Sequence, residues 1–237
     1  MAAPPGVKAI VFDVFGTCVD WRGGIARDVA AVAARFGVAL DPDKFARAWR
    51  GRYQPSMEEV RSGRRPWTIL DVLHRESLDA ILPGFGLAAL DEGARADLTR
   101  AWHRLDPWPD VVRGLTRLKS KFVVAPLSNG NVALLLNMAK RAGIPWDAIL
   151  GAETSRAYKP LPAAYLNACA MLGLAPGGVM LVAAHNSDLA AAQGVGMRTG
   201  FVARRELGPG QTEDLAPTGT WDVVAADFVD LAARLGA

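Results

Sequence analysis

Polar residues that could do chemistry fall at or just past the ends of several predicted strands. They form four groups along the chain: Asp13 with Thr17, Ser128 with Asn129, Lys159, and His185 with Asp188. A single Asp after a strand is usually a cap or turn residue, but four such groups in this order are far more specific. An ammonium group near a buried carboxylate keeps that carboxylate charged, so Lys159 is the natural counter-ion of Asp13 and Asp188.

Short, apolar, β-branched runs predict the strands that position these groups. They cover residues 8–15, 121–129, 148–152, 179–184, 198–203 and 220–226. Continuous runs of this kind are typical of strands buried on both faces. Helical patterns closed by glycine lie between them, so strand and helix alternate. This alternation predicts an α/β fold with a Rossmann-like, doubly wound, mostly parallel sheet, whose carboxyl ends converge on one crevice.

Residues 18–106 interrupt this alternation. The interval shows amphipathic helical stretches and no convincing strand, which predicts an all-helical cap domain inserted after the first strand. Residues 1–17 and 107–237 would then form the core domain, and the proline-rich segment 105–110 would be the return hinge. An insertion at this point lies above the carboxyl ends of the strands, where such sheets bind ligands.

Four segments resemble the motifs of the haloacid dehalogenase superfamily. They are DVFGT at 13–17, SNG at 128–130, KP at 159–160 followed by Tyr165, and HNSD at 185–188. The resemblance covers almost the whole chain. It is greatest to the L-2-haloacid dehalogenases, which have a DxxGT first motif, an Arg after a Trp in a helical cap, and no bound metal. Trp49 and Arg50 match that pair, and Arg50 is favoured over Arg47 and Arg52 for this reason.

The resemblance implies covalent hydrolysis of a carbon–halogen bond. Asp13 attacks the halogen-bearing carbon from behind, releases halide and forms an ester, which water then hydrolyses, so that the carbon is inverted. Asp188 orients or activates this water. Arg50 and Asn129 are implied to stabilise the departing halide.

Further residues are implied to bind the substrate. Thr17, Ser128 and the backbone N–H groups after Asp13 hold its carboxylate, and Tyr165 hydrogen-bonds within the site. The alternative for Tyr165 is a core aromatic residue with a satisfied hydroxyl group.

Phe15 distinguishes the dehalogenases of the superfamily from its phosphatases. Phosphatases of the superfamily carry a second Asp two positions after the nucleophile, which protonates the leaving alkoxide and helps to hold magnesium. Phe15 can do neither, whereas halide leaves without a proton, and the ring can shape a dry substrate pocket. The alternatives are a magnesium-dependent phosphatase or phosphonate-type hydrolase with a divergent motif, and a catalytically silent binding protein.

The fourth motif departs from the usual pattern of the L-2-haloacid dehalogenases. Ala183, Ala184 and His185 replace the common Ser-Ser-Asn. This AAHNxD variant resembles a branch that includes fluoroacetate-active enzymes. Fluoride is a strong hydrogen-bond acceptor, so a donor-lined pocket with Arg50, Asn129 and His185 favours its release.

Among the aromatic residues of the cap, Tyr53, Trp67 and Trp102 are expected to pack the cap. One of them is expected to line the substrate pocket, with Trp67 preferred because it follows a proline at a helix start. His74 and His103 lie in helical stretches without partners and are interpreted as structural or exposed.

The composition limits the partners. With 51% hydrophobic and 22% charged residues the chain can bury a core, and its net charge of +3 is spread along the chain, so no nucleic-acid partner is expected. Cys18 and Cys169 have no CxxC partner, so neither a disulfide framework nor a zinc site is expected. Asp13 interrupts the first apolar stretch before it reaches the length of a signal sequence. We expect a cytoplasmic protein without membrane contact, cofactor or metal, acting on a 2-haloacid and water. The resemblance allows a homodimer.

Overall fold

Parallel strands form the main sheet of the computed structural model, which describes residues 4–237. In chain order the strands are β1 (Ala9–Phe12), β2 (Val19–Asp20), β3 (Asp106–Pro107), β4 (Val123–Ser128), β5 (Leu150–Gly151), β6 (Val179–Ala183), β7 (Arg198–Val202) and β8 (Val223–Ala225). The sheet has the spatial order β5-β4-β1-β6-β7-β8, and every neighbouring pair in it is parallel. Strands β2 and β3 pair with each other, antiparallel.

The α-helices separate the strands. In chain order they are α1 (Trp21–Arg35), α2 (Pro42–Gly51), α3 (Tyr53–Arg61), α4 (Leu70–Ile81), α5 (Glu92–Thr99), α6 (Val111–Lys119), α7 (Val132–Ala142), α8 (Ala152–Ser155), α9 (Pro162–Met171), α10 (Asn186–Gly194) and α11 (Phe228–Arg234). Short 3₁₀ turns follow at Leu82–Phe85, Arg100–Arg104 and Pro176–Gly178. Within residues 4–237 no helix has the length and apolarity needed to cross a membrane.

Strand β1 lies at the centre of the sheet and marks the point where the strand order reverses. Phe12 at its carboxyl end pairs with Pro126 of β4 on one side and with Val182 of β6 on the other. The chain first adds β4 and β5 on one side of β1 and then returns to add β6, β7 and β8 on the other. This confirms the predicted doubly wound sheet, and its crevice opens where β1, β4 and β6 end.

Strand β1 is buried on both faces, which explains its continuous apolar sequence. Ile10 and Phe12 pack into the apolar core that contains Phe228 of α11, whereas Ala9 and Val11 pack into the second core on the opposite face. Side chains of a strand point alternately to its two faces, so both sets must be apolar when helices cover both.

Helices α1 to α5 form an insertion between β2 and β3. Its core is continuous with the end of β1, because the ring of Phe15 packs edge-on against Trp102, with 5.7 Å between ring centroids, and Trp102 packs against Trp49 at 5.5 Å. The expectation of no strand in residues 18–106 is wrong at β2, since two residues are too short to show a period in sequence. The pairing of β2 with β3 includes Asp106–Pro107 of the predicted hinge.

The close contact between α6 and α11 predicts that one added methyl group at Gly114 lowers the unfolding free energy. In Gly114→Ala the new Cβ would meet the main chain and side chain of Phe228, and such overpacking costs about 1 to 3 kcal/mol of unfolding free energy. The control is Gly51→Ala on α2, where nothing lies within 4 Å and helix propensity adds stability of about 0.5 to 1 kcal/mol. Urea unfolding of both variants measures the difference, and a G114A protein as stable as G51A would contradict this packing.

Candidate active site

The carboxyl ends of β1, β4 and β6 bring the four predicted groups together. Asp13 directly follows β1, Ser128 ends β4 and is followed by Asn129, and His185 comes just after β6. Lys159 reaches the same place from the loop between α8 and α9. These residues come from distant parts of the chain, and their convergence follows from the parallel register of the sheet.

Lys159 joins the two central carboxylates. Its Nζ donates to Asp13 Oδ1 at 2.9 Å and makes a short hydrogen bond to Asp188 Oδ2. Burial lowers the pKa of Lys159, but the charges of Asp13 and Asp188 outweigh burial and raise the pKa above its usual range. Tyr165 supports this arrangement by donating its hydroxyl proton to Asp188 Oδ1 at 2.6 Å. Lys159 is therefore a buried ammonium group shared by two carboxylates.

The second oxygen of Asp13 has different partners. Asp13 Oδ2 accepts a hydrogen bond from the Thr17 hydroxyl at 2.7 Å and lies 3.0 Å from His185 Nδ1. Burial raises the pKa of Asp13, but the charge of Lys159 and the hydrogen bond with His185 lower it far below its usual range. Asp13 is therefore ionised, which is the form a carboxylate nucleophile needs.

His185 lies between two carboxylates. Its Nε2 is 2.6 Å from Glu206 Oε1, and the other oxygen of Glu206 accepts a short hydrogen bond from the indole N–H of Trp21. Burial lowers the pKa of His185, but the hydrogen bonds with Asp13 and Glu206 raise it to about 10. The ring is thus an imidazolium at neutral pH.

The helical insertion supplies an arginine to the same place. The Arg50 guanidinium lies over the ring of Tyr53, 4.0 Å from its centroid. Among the residues that the structure describes, no partner accepts a hydrogen bond from buried Arg50 Nη1. Arg47 instead binds Asp43 and the carbonyl of Leu207. Arg50 therefore presents a free, buried donor, the property that a site for a small anion requires.

A cavity of about 420 Å³ lies between the sheet and the insertion. It is lined by Asp13, Phe15, Arg50, Tyr53, Gln54, Arg61, Asn129, Lys159, Pro160, Tyr165, His185, Ser187 and Asp188. Asn129 Oδ1 accepts the backbone N–H of Lys159 at 2.8 Å, which leaves its amide nitrogen as the remaining donor. The cavity combines an ionised carboxylate, cationic groups and an aromatic wall, and it accommodates a small, negatively charged substrate.

Comparison with known proteins identifies the family of this site. The family model for haloacid dehalogenase-like hydrolases matches residues 7–196. The chain belongs to the haloacid dehalogenase-like hydrolases. It is 30% identical over 210 residues to an (S)-2-haloacid dehalogenase of Xanthobacter autotrophicus, an alignment that covers 84% of this chain and 76% of that relative.

Solved structures of haloacid dehalogenases resemble the whole chain. A defluorinating L-2-haloacid dehalogenase is 53% identical with a TM-score of 0.97, and the match covers 100% of this chain and 99% of that one. Another L-2-haloacid dehalogenase is 48% identical with a TM-score of 0.94 and coverage of 98% and 99%.

Three residues predicted to bind substrate in this haloacid dehalogenase-like hydrolase do not line the cavity. The Thr17 hydroxyl is already used, since it donates to Asp13 and accepts the backbone N–H of Ala184 at 2.9 Å. Ser128 is fully buried and accepts the N–H of Gly130 at 3.1 Å. The prediction for Trp67 is wrong, because its ring packs on Tyr158 at 4.9 Å and Tyr53 takes the place on the cavity wall.

The two other histidines of the hydrolase lie outside the cavity. His74 stacks on Trp102 at 4.2 Å, and burial lowers its pKa to about 3, so it is a neutral core residue. The expectation that His103 lacks partners is wrong. Its ring lies 3.0 Å from Asp71 Oδ1 and 3.0 Å from the Asn137 amide on α7, which ties the insertion to the sheet.

Sequence reasoning missed Glu206, Gln54, Arg61 and Ser187. Glu206 lies in the loop after β7, outside every motif of the family, and no local pattern indicates its role. Gln54 and Arg61 follow Arg50 at helical spacing, which is the signal that could have found them. Arg61 Nη1 donates to the carbonyl of Lys159 at 2.9 Å and so links the insertion to the loop between α8 and α9.

The position of His185 predicts pH-dependent stability. Its pKa of about 10 in the folded chain exceeds the unfolded value of 6.5, so its stabilising effect is complete below the unfolded pKa and is lost as pH rises through the folded pKa. His185→Asn should therefore lower the unfolding free energy most near about pH 6 and progressively less toward about pH 10. Urea unfolding at several pH values measures this.

The control for that measurement is His74→Asn. Since the pKa of His74 is lowered to about 3, the ring is neutral in both states above the unfolded pKa, and the cost of this variant is constant over the alkaline range. A constant cost for H185N as well would contradict the protonated state of His185.

Proposed function

We propose that this protein hydrolyses small 2-haloacids, namely haloacetates and L-2-halopropionates, to 2-hydroxy acids with inversion at the reacting carbon. The observation that carries the proposal is the pairing, in one cavity, of the ionised Asp13 with the free, buried Arg50 Nη1. One group can attack the carbon and the other can receive the anion that leaves. The names of the relatives support the same substrate class.

The first step forms an ester. Asp13 Oδ1 accepts a hydrogen bond from Lys159, and its remaining lone pair attacks the carbon as the carbon–halogen bond breaks. The bonding pair leaves with the halogen, whose growing charge is met by Arg50 and by the amide nitrogen of Asn129. Phe15 and Tyr53 exclude water around these charges, which strengthens both interactions.

The second step regenerates Asp13. Water attacks the carbonyl carbon of the ester and gives a proton to Asp188, which Lys159 and Tyr165 hold in place. The ester oxygen departs as the hydroxyl group of the product. The carboxylate of the substrate needs cations as well, and Lys159 and Arg61 at the cavity wall supply positive charge for it.

The competing function is a magnesium-dependent phosphatase. Phe15, which is buried at the wall of the cavity, brings no carboxylate to the position two residues after Asp13 and cannot protonate a leaving alkoxide. This favours a leaving group that departs as a stable anion. We therefore expect no requirement for a metal or an organic cofactor.

Release of fluoride is part of the proposal. A defluorinating L-2-haloacid dehalogenase is 53% identical to this chain, which supports this part of the proposal. The prediction that His185 donates to the halide is wrong, because its two ring nitrogens face Asp13 and Glu206. The donors at the cavity wall are Arg50 and the amide nitrogen of Asn129. Fluoride depends more than chloride on hydrogen bonds as it leaves, so a buried, charged donor such as Arg50 suits it.

The domain division, the homodimer and the cytoplasmic location stay predictions. Strands β2 and β3 bracket the insertion and support a cap of residues 18–106. The rest, residues 1–17 and 107–237, would form the core domain, and its first three residues lie outside the described part. Sedimentation of the purified protein tests the homodimer.

The decisive experiment measures halide release from racemic 2-chloropropionate, chloroacetate and fluoroacetate with a chelator present, together with chiral analysis of the remaining acid. Consumption of the L isomer alone, unaffected by chelation, is the expected result. Phosphate release that requires magnesium, without halide release, would replace the proposal by the phosphatase.

Asp13→Asn should lower halide release at least about 10³-fold, because an amide is a poor nucleophile. The matched control is Asp97→Asn, which makes the same chemical change at an exposed residue paired with Arg104. Activity in D13N equal to that of D97N would remove Asp13 from the mechanism.

Arg50→Lys should lower kcat/KM for halide release about 10²- to 10³-fold, with the larger loss on fluoroacetate, because the lysine cannot place the same buried donor. Arg47→Lys, on the outer face of the same helix, is the control. Steady-state rates on chloroacetate and fluoroacetate compare the two variants, and equal losses in both would show that Arg50 does not receive the halide.

A further inference from the structure

The two oxygens of Asp13 have different hydrogen-bond partners, and the proposed first step uses only Oδ1 and its partner Lys159. Within residues 4–237, Oδ1 accepts a hydrogen bond from Lys159 alone, whereas Oδ2 lies against both the Thr17 hydroxyl and His185 Nδ1. When Oδ1 carries the substrate carbon, Oδ2 becomes the carbonyl oxygen of the ester. The groups at Oδ2 therefore act in the second step of the reaction.

We propose that Thr17 and His185 form the oxyanion site for hydrolysis of the aspartyl ester, and that Glu206 is the positioning residue that keeps His185 a donor toward Asp13. This inference rests on the proposed dehalogenation and extends it to the second step. It assigns a role to Glu206, which contacts neither the reacting carbon nor Asp13.

The electron and proton balance of the step is complete. Water attacks Cγ of Asp13 and gives one proton to Asp188, while the carbonyl pair moves onto Oδ2, where Thr17 O–H and His185 N–H donate to it. Collapse restores the carbonyl bond and breaks the bond from Cγ to Oδ1, and the leaving alkoxide takes the proton from Asp188. Asp13 then loses its new proton to solvent.

Glu206 decides how strongly His185 donates, because it keeps the ring protonated at both nitrogens. An imidazole that faces an acceptor at each nitrogen donates to both only when both nitrogens are protonated. Once Asp13 is esterified its charge is gone, and the Glu206 carboxylate, 2.6 Å from Nε2, is the neighbour that still favours the imidazolium. Without that charge the ring becomes a neutral imidazole, whose N–H is a weaker donor to the developing oxyanion than the N–H of an imidazolium.

The surroundings of Glu206 hold it in this position. Its side chain is only 11% exposed, and its other oxygen accepts the indole N–H of Trp21, the first residue of α1. Gly16 of the first motif has φ +86, and a Cβ at that residue would collide with the Glu206 carboxylate. The first motif thus leaves room for Glu206, and a residue of the insertion fixes its orientation.

The test is Glu206→Gln, which keeps the shape of the side chain and removes its charge. In a rapid-mixing experiment with chloroacetate, E206Q should still release a burst of about one equivalent of halide per site, whereas kcat should fall about 10²-fold. Intact-protein mass spectrometry should then show the ester accumulating. A merely structural loss would slow ester formation and hydrolysis together.

Matched variants define the result. Glu59→Gln makes the same change at an exposed residue of α3 and should behave as the unsubstituted protein. His185→Asn should also accumulate ester, and the double variant E206Q/H185N should be no slower than H185N, because Glu206 acts through His185. If E206Q does not fold, ester accumulation in H185N alone tests the proposal.

The outcomes separate this inference from the proposed function. An unsubstituted protein that releases no halide overturns the dehalogenase function and this inference with it. An active protein in which E206Q or H185N hydrolyses the ester at the normal rate overturns the role of His185 and Glu206 alone. Equal slowing of both steps in these variants also overturns it.

Discussion

The active site depends on the buried ammonium group of Lys159, which lies between two carboxylates. Asp13 and Asp188 are almost completely buried, and two uncompensated negative charges so close together would be very costly. Lys159 offsets both charges, and it lowers the pKa of Asp13 so that this carboxylate stays ionised. The central position of β1 and the loop before α9 are the structural means of bringing these three residues together.

The buried carboxylates of the cavity share their counter-ions. Lys159 lies between Asp13 and Asp188, and His185 lies between Asp13 and Glu206, whereas Arg50 Nη1 has no partner among the described residues. Asp13 therefore has a different cation at each of its two oxygens. The proposed mechanism uses this asymmetry, with Oδ1 attacking the substrate and Oδ2 facing the donors that stabilise the oxyanion.

Much of the fold and of the site was predictable because both follow from local pattern. The apolar runs predict strands, and polar residues after them predict a crevice, so Asp13, Lys159 and Asp188 were found together. The errors concern residues whose role depends on where a side chain points. Thr17 turns its hydroxyl to Asp13 rather than into the cavity, and Trp67 packs on Tyr158.

By itself the sequence determined the sheet, the four motif groups and the helical insertion, because period, turn residues and spacing are local properties. Only the tertiary structure decided that Glu206 faces His185 and that Gln54 and Arg61 of α3 line the cavity. These contacts join the insertion and the loop after β7 to the end of β1, at separations along the chain that no pattern encodes. Their physical basis is the packing of the insertion on the sheet, which buries Glu206 beside Trp21 of α1 and beside His185, because a buried carboxylate without partners is costly.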